Sequence, residues 1–471
     1  MTDTFKSKLK PVIISGKEVH PIIEGGKGIS ASDGATAGAF AAAGAVGTFS
    51  GVNAASYDDD GNRIPYEYTG TTRRARHEEL IALSTAGGVA QAKRAHDISN
   101  GNGRLHVNVL WEMGGAEEIL DNVLTQAKGL VHGVTCGAGM PYRLSEIAAK
   151  HDVYYHPIVS SMRAFRALWK RAYSKEVKLL GSVVYEDPWL AGGHNGLSNS
   201  EDPKKPEDPY PRVAELRKFM NLVGLNEVPI IMAGGVWHLK DWEHWLDNPE
   251  IGPIAFQFGT RPLLTQESPV PEHWKKKLLM LEAGDVFLNR FSPTGFYSSA
   301  VNNDFIQELR GRGERQVEYR TEQEGYFSEP YGFGPRKRPH YVSPEDMQKI
   351  GRWEKDGYTD ALKTPDETLI FVEPAKAQEI TKDQIDCMGC LSHCRFSNWK
   401  DHDDYSTGKK ADPRSFCIQK TLQNIAHGEG DVDNELMFSG HNAYKFADDP
   451  FYENDNIPSV AELVERIREG R

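Results

Sequence analysis

The sequence predicts an α/β chain whose first two thirds close into a (β/α)8 TIM barrel and whose last third adds a mostly helical or irregular metal-binding module. Three observations carry this reading. Eight short apolar, β-branched runs alternate with helical patterns as far as residue 282; the rhythm stops near Arg312; and four of the five cysteines gather beyond it. Continuous apolar strands between amphipathic helices mark a parallel sheet covered on both faces. Eight such units in roughly 260 residues suit a closed barrel better than an open sheet.

The strands fall at residues 20–25, 45–51, 105–111, 130–136, 153–160, 177–186, 228–235 and 253–259. Helical periodicity occupies 35–43, 73–96, 116–127, 142–150, 162–173, 213–223 and 239–246, with an eighth stretch at 272–282. Two connections, 53–72 and 187–211, are longer than a plain connector requires. Both follow strands, so the topology sends them to the C-terminal face, where barrels build their sites. The boundary is placed after residue 312, giving a barrel over 1–312 and a four-cysteine module over 313–471.

Composition narrows the function. Of 471 residues, 39% are hydrophobic and 26% charged, enough for a real core and too ordinary for a disordered chain. The net charge is −12, and residues 311–471, with 22 basic and 31 acidic side chains, carry −9 of it. Such a balance excludes sequence-independent nucleic-acid binding, which depends on neutralising phosphates. The basic run Arg336-Lys337-Arg338 reads as a solvated loop. The N-terminal residues hold no signal-peptide pattern, and no run approaches the ~20 apolar residues of a membrane span, so a cytoplasmic protein without membrane contact is expected.

Chemistry concentrates at the strand ends. Gly25-Gly26, Gly137 and Gly139, Gly192-Gly193, Gly234-Gly235 and Gly259-Thr260 each follow a strand. The pairs after strands 7 and 8 stand where barrels bind phosphate on loop N–H groups and a helix N-terminus. His194, in AGGHNG, is flanked by glycines that leave its ring open to a flat ligand. A histidine with an ordinary pKa of ~6.5 keeps a neutral fraction at pH 7, as a general base requires. Cys387, Cys390, Cys394 and Cys417 read C-x2-C-x3-C-x22-C. Four thiolates so close suit one soft-metal centre. Structural zinc more often uses two CxxC knuckles, so the single CxxC followed by x3 favours an iron–sulfur cluster, with zinc as the alternative. His393 and His402 are expected to be exposed or structural.

The segments PIIEGGKG, RLHVNVLW, GVTCGAGMP, AGGHNG, IIMAGGV and FQFGTRPLLTQES, followed by SPTGFYSSAVNNDFIQEL, occur in an order that resembles the nitronate monooxygenases (2-nitropropane dioxygenases) over residues 11–312. The flavin-type enoyl-ACP reductases share that order. The resemblance implies an FMN-binding barrel in which Gly234-Gly235 and Gly259-Thr260 hold the phosphate. Gly25, Gly26, Lys27 and Asn108 would line the isoalloxazine, with Gly192, Gly193, Ala233 and Gln257 also facing the cofactor. Cys136 would stand beside the flavin, as a packed barrel residue or a redox thiol. His194 would be the acid/base residue that removes the α-proton of a nitroalkane. Lys27 stands where the family usually carries methionine, and its ammonium is expected to neutralise reduced flavin near N1. CMGCLSHC resembles the 4Fe–4S motif of the 2,4-dienoyl-CoA reductases. The expected activity is oxidation of nitroalkanes or nitronates with oxygen; the alternative is reduction of an enoyl or quinone-like substrate driven by NAD(P)H or an electron-carrier protein. The partners expected are a small-molecule substrate, such a carrier, and further copies of the chain.

Overall fold

The computed structural model describes residues 3–58, 62–334, 336–401, 405–428 and 430–471. Its centre is a closed parallel barrel of β1 (Ile22–Glu24), β2 (Val46–Ser50), β3 (Arg104–Leu110), β4 (Gly133–Gly137), β5 (Tyr154–Val159), β6 (Val183–Glu186), β7 (Ile230–Ala233) and β8 (Ile254–Phe258), each beside its sequence neighbours and β8 beside β1. All residues of β2 and of β7 are buried, as strands covered on both faces require. The sixth strand is shorter than its apolar pattern suggests. Val177–Leu179 forms a 3-10 turn, and Val177 is 43% exposed, which no barrel strand would allow.

Helices α1 (Gly34–Ala42), α2 (Arg73–Ser99), α3 (Ala116–Gln126), α4 (Leu144–His151), α5 (Met162–Arg171), α6 (Pro209–Leu222) and α7 (Glu272–Leu279) wrap the barrel, and Leu239–Trp245 is a 3-10 segment where the sequence suggests a helix. Several starts are legible as caps: Asp33 accepts from Ala35 and Thr36, Thr72 from Ala75, Ser161 from Ala164 and Asp208 from Tyr210. A hairpin of Val12–Ile14 and Lys17–Val19 closes the N-terminal end. Its Ser15 hydroxyl lies 2.8 Å from His106 Nε2 and 2.9 Å from His156 Nε2, between two stacked imidazoles.

Beyond the barrel, α8 (Asp304–Glu314), α9 (Pro344–Lys355), α10 (Pro374–Ile385), α11 (Ile418–Ala426) and α12 (Val460–Arg468) are joined by more sheet than the sequence suggests. Gln316–Glu318, Thr368–Val372 and Asp360–Lys363 make a three-stranded antiparallel sheet, and Glu329–Phe333 pairs with Arg338–Val342. Strands of three to five residues, one of them alternating between half-buried and exposed, are too short to announce their period. Val317, Tyr319, Ile350 and Phe371 form a separate small core there. The chain then returns: Val460, Leu463, Val464 and Ile467 of α12 belong to the barrel's own core, and Lys6 pairs with Glu465. No described helix is long and apolar enough to cross a membrane.

Candidate active site

A cavity of about 240 Å³ opens at the C-terminal ends of the strands. Gly25, Gly26 and Lys27 enter it after β1, Asn108 from β3, and Gly192, Gly193 and His194 from the loop after β6. Ala233, Gly234 and Gly235 at the end of β7, and Gln257, Gly259 and Thr260 at the end of β8, complete the part expected from the sequence. Cys136 is the exception. It is fully buried in the barrel core, and Gly137 and Ala138 line the cavity instead. Neighbouring strand residues point to opposite faces, so Gly137 turned inward sends Cys136 outward, and burial raises its thiol pKa.

The end of the cavity at β7 and β8 carries a glycine cradle and unused donors. Gly234 and Gly235 have φ of +84° and +76°, a conformation side chains resist. Nothing lies within 4 Å of the position a Cβ would take on Gly259. The cavity-lining residues Ser439, Trp237 and Trp274 each carry a buried side-chain donor with no hydrogen-bond partner among the described residues. Buried donors normally find acceptors, and three unused ones beside a glycine cradle fit the phosphate and ribityl oxygens of FMN.

His194 is placed by a small sheet. Gly193–His194 pairs with Ser298–Ser299, and Ser298–Val301 pairs with Val286–Asn289. Its Nε2 lies 2.6 Å from Ser292 Oγ, which is 2.9 Å from Thr294 Oγ1, and Phe438 packs edge-on with ring centroids 5.3 Å apart. Burial lowers its pKa to about 4. The ring is therefore neutral at pH 7 and able to accept a proton.

The sequence reading missed two carboxyls, Glu186 in the cavity lining and Glu24 buried behind Lys27. Glu24, the last residue of β1, is fully buried; it accepts from Thr48 N, and its Oε1 lies 3.3 Å from Lys27 Nζ. Lys27 Nζ also donates to Gly25 O at 2.7 Å. The lysine that was expected to face a flavin is thus tied back to the strand end. Burial pushes Glu24 up to about 7, although Lys27 opposes this, and it lowers Lys27. Glu186, the last residue of β6, lines the cavity; burial and the neighbouring Asp187 charge push it up to about 8.

The C-terminal third supplies the roof. Gly440 N donates to Thr260 Oγ1 at 3.0 Å and Asn442 Nδ2 to Gly235 O at 2.6 Å, which fastens residues 438–442 over the loops after β7 and β8. On the other side, Gly114 N donates to Cys390 O and Ser392 N to Glu112 O, so the cysteine loop docks on the loop after β3. The long loop after β2 grips α11: Asn53 bonds Gln419, and Arg63 bonds the carbonyl of Ala426. Cys390, Leu391 and Ile418 line the same cavity as His194.

All four candidate metal-binding cysteines belong to one apolar cluster with Trp399, Phe396 and Phe416. Burial and the other three thiols raise Cys390 well above the ordinary thiol range. Cys394 is pushed up to about 11, mainly by burial and Cys387, and Cys417 to about 12, mainly by burial with Cys387 and Cys394 adding to it. Among the described residues, no three His, Cys, Asp or Glu side chains converge as a single metal ion would need. His393 is exposed, and His402 lies outside the described residues.

Comparisons with known proteins agree with this architecture. Probable nitronate monooxygenases of Staphylococcus aureus are 24% identical over 156 residues in strain MSSA476 and 27% over 119 residues in strain JH9. These matches take in 30% and 25% of this chain, and the chain spans 41% and 31% of the relatives' lengths. Among solved structures, a nitroalkane oxidase from Streptomyces ansochromogenes superposes with a TM-score of 0.50 at 14% identity, covering 98% of this chain and 96% of the other. The enoyl reductase domain of MlnA from the macrolactin cluster of Bacillus amyloliquefaciens gives 0.52 at 12% identity, covering 99% and 96%. At such identities the two share its fold. The family model for nitronate monooxygenase matches residues 13–470, and the chain belongs to the nitronate monooxygenase family.

Proposed function

We propose that this chain is an FMN-dependent oxidoreductase that oxidises nitroalkanes or nitronates with oxygen. The observation that carries the reading is His194, a neutral imidazole held by Ser292 at the wall of a glycine-cradled cavity. In this role Ser292 occupies one ring nitrogen and fixes the tautomer, while the other accepts the α-proton of a nitroalkane. Phe438 and the roof residues exclude water, so the nitronate forms in a site of low dielectric. Gly234, Gly235, Gly259 and Thr260, with Ser439, hold the cofactor phosphate. FMN, when bound, takes up the substrate's electrons and delivers them to oxygen. The test compares His194→Ala with the parent on a neutral nitroalkane and on its preformed nitronate, following nitrite. Loss of about 10²- to 10⁴-fold on the nitroalkane alone is expected from a missing general base. Equal activity of parent and variant on both substrates refutes the role.

A second reading has its own observation. Cys390 lines the flavin cavity, which favours the reductase alternative, with an enoyl or quinone-like substrate and an external electron donor. In either case Cys387, Cys390, Cys394 and Cys417 would hold an iron–sulfur cluster of 4Fe–4S type, with zinc as the competing occupant. Thiols that are close neighbours without converging on one point suit a multi-iron centre better than a single ion. In both readings the barrel of 1–312 carries the chemistry, and 313–471 covers it and holds the metal.

A further inference from the structure

Two helices that border the cavity are sorted by chemistry, face by face. Ile418, Leu422 and Ile425 recur at the spacing of a single face of α11, and all three line the cavity. The polar side chains of α11 are engaged elsewhere: Gln419 bonds Asn53 and Gln423, Lys420 pairs with Asp383, and Asn424 Nδ2 donates to Glu435 at 2.7 Å. α7 is sorted the same way. Trp274 and Leu278, one turn apart, line the cavity, while Lys275 Nζ donates to the carbonyls of Thr265 and Ser268, Lys276 pairs with Glu272, and Lys277 pairs with Asp433.

The two apolar stripes form a lane across the barrel mouth. α11 begins beside the loop after β2, where Asn53 holds Gln419, and a Cβ on Gly428, two residues past its end, would fall 4.0 Å from Pro271, the N-cap of α7. From Ile418 to Ile425 the apolar face runs about 10 Å, at ~1.5 Å per residue. Leu436 N donates to Thr421 Oγ1 at 2.7 Å, which lays residues 436–438 beside α11, and Phe438 of that segment packs on His194. The stripe therefore runs next to the segment that covers the imidazole. Protein interiors pack to the density of organic crystals, so apolar side chains that border open space lack partners. A helical wall with no polar side chain turned toward it selects hydrocarbon to fill that space.

We propose that this lane is a tail subsite, and that the chain acts on molecules whose reacting head carries an unbranched alkyl chain of about eight carbons. This deepens the function proposed above by naming the substrate of the same site, and the identity of the head group rests on that function. The length follows from the helix: about 10 Å of apolar face takes roughly eight carbons in zigzag, with C–C bonds of ~1.5 Å. With the head at His194, the tail lies along Leu422 and Ile425 and ends against Trp274 and Leu278. A short substrate leaves that surface uncovered, and each added methylene covers more of it.

Two measurements on the FMN-loaded protein separate the lane from the chemistry. Titration calorimetry with 1-butanol and 1-octanol reads the lane alone, since neither alcohol is a nitroalkane. At about two- to fourfold per buried methylene, octanol should bind roughly 20- to 200-fold more tightly than butanol. Leu422→Trp, which fills the lane, should weaken octanol about tenfold or more; Ile425→Phe takes its place if that variant does not fold. Equal affinity for the two alcohols, no octanol binding by the parent, or octanol binding unaltered in a folded variant overturns the lane. Nitrite release from nitroethane, 1-nitrobutane and 1-nitrooctane then tests whether substrate uses it. kcat/KM should climb along the series, and in the variant, normalised to its own value on nitroethane, the climb should flatten. A level series in the parent overturns the proposal, and the parent's two series decide alone if neither variant folds. Octanol held in the lane with no nitrite from any member refutes the nitroalkane reading and leaves the tail subsite standing.

Discussion

Replacing Phe438 with alanine should move the acid limb of catalysis upward. His194 owes its low pKa to burial, and the Phe438 ring is packed edge-on against it. At a pKa of about 4 the imidazole is ~97% neutral at pH 5.5, whereas at the ordinary ~6.5 only ~9% is neutral there. The parent protein should therefore hold kcat/KM for a neutral nitroalkane nearly flat from pH 8 down to 5.5. Full rehydration in Phe438→Ala would cost about tenfold at pH 5.5 relative to the variant's own pH 8 plateau. Normalising to that plateau removes any change in substrate binding from a residue that also lines the cavity. Nitrite release under air across pH 5 to 8.5 reads both profiles. A parent limb near pH 6.5, or a variant profile that overlies the parent's, refutes the assignment of His194 as a desolvated base.

The barrel floor should make the fold acid-sensitive. Burial lowers His156 to about 3 and His106 well below 6.5, so the unfolded chain binds more protons as pH drops below the ordinary histidine range. Stability is fully present above pH ~6.5 and should decline as pH falls, by about 1.4 kcal/mol per pH unit for His156 alone; urea midpoints at pH 7.5 and 5 check this, and equal midpoints refute it. Glu186, with its pKa near 8, should place a negative charge in the cavity as pH rises through that value. The flavin dissociation constant, read by fluorescence, should then rise between pH 7 and 9 in the parent by up to about tenfold, and stay level in Glu186→Gln; matching curves remove Glu186 from the cofactor's surroundings.

The barrel was legible because its strands are continuous apolar runs, and its glycine-rich site residues were legible because they directly follow those runs. Glu24 and Glu186 left a signal that could have been read: each is a carboxylate ending an otherwise apolar strand, where a barrel puts chemistry. Cys136 was misplaced for want of the strand's period of two, since Gly137 and Asn108 face the cavity while Cys136 and Val109 pack in the core. Ser292 lay in a segment that bears the resemblance but had no role assigned, and Phe438, Ser439 and Asn442 had no local signal at all. They reach the site from 98 to 248 residues beyond His194, by pairings that only the folded chain defines.

That distance changes what the glycines mean. Taken alone, a glycine-rich barrel rim reads as a ligand site. Yet a Cβ on Gly192 would fall 2.6 Å from the backbone nitrogen of Gly440, and one on Gly114 would fall 2.0 Å from the carbonyl oxygen of Gly389. At these two positions the missing side chain makes room for the C-terminal segment, and a methyl group would push away backbone, which cannot yield cheaply. Gly440 sits in the roof over the loop after β8, and Gly389 lies between Cys387 and Cys390. The barrel rim is therefore shaped by two constraints together: an open cavity at the strand ends, and a cap that must approach close enough to bring Phe438 onto His194 and Cys390 to the cavity. A barrel rim optimised for cofactor alone would tolerate alanine at Gly192 and Gly114; this one does not, and the rim and cap depend on each other for that reason.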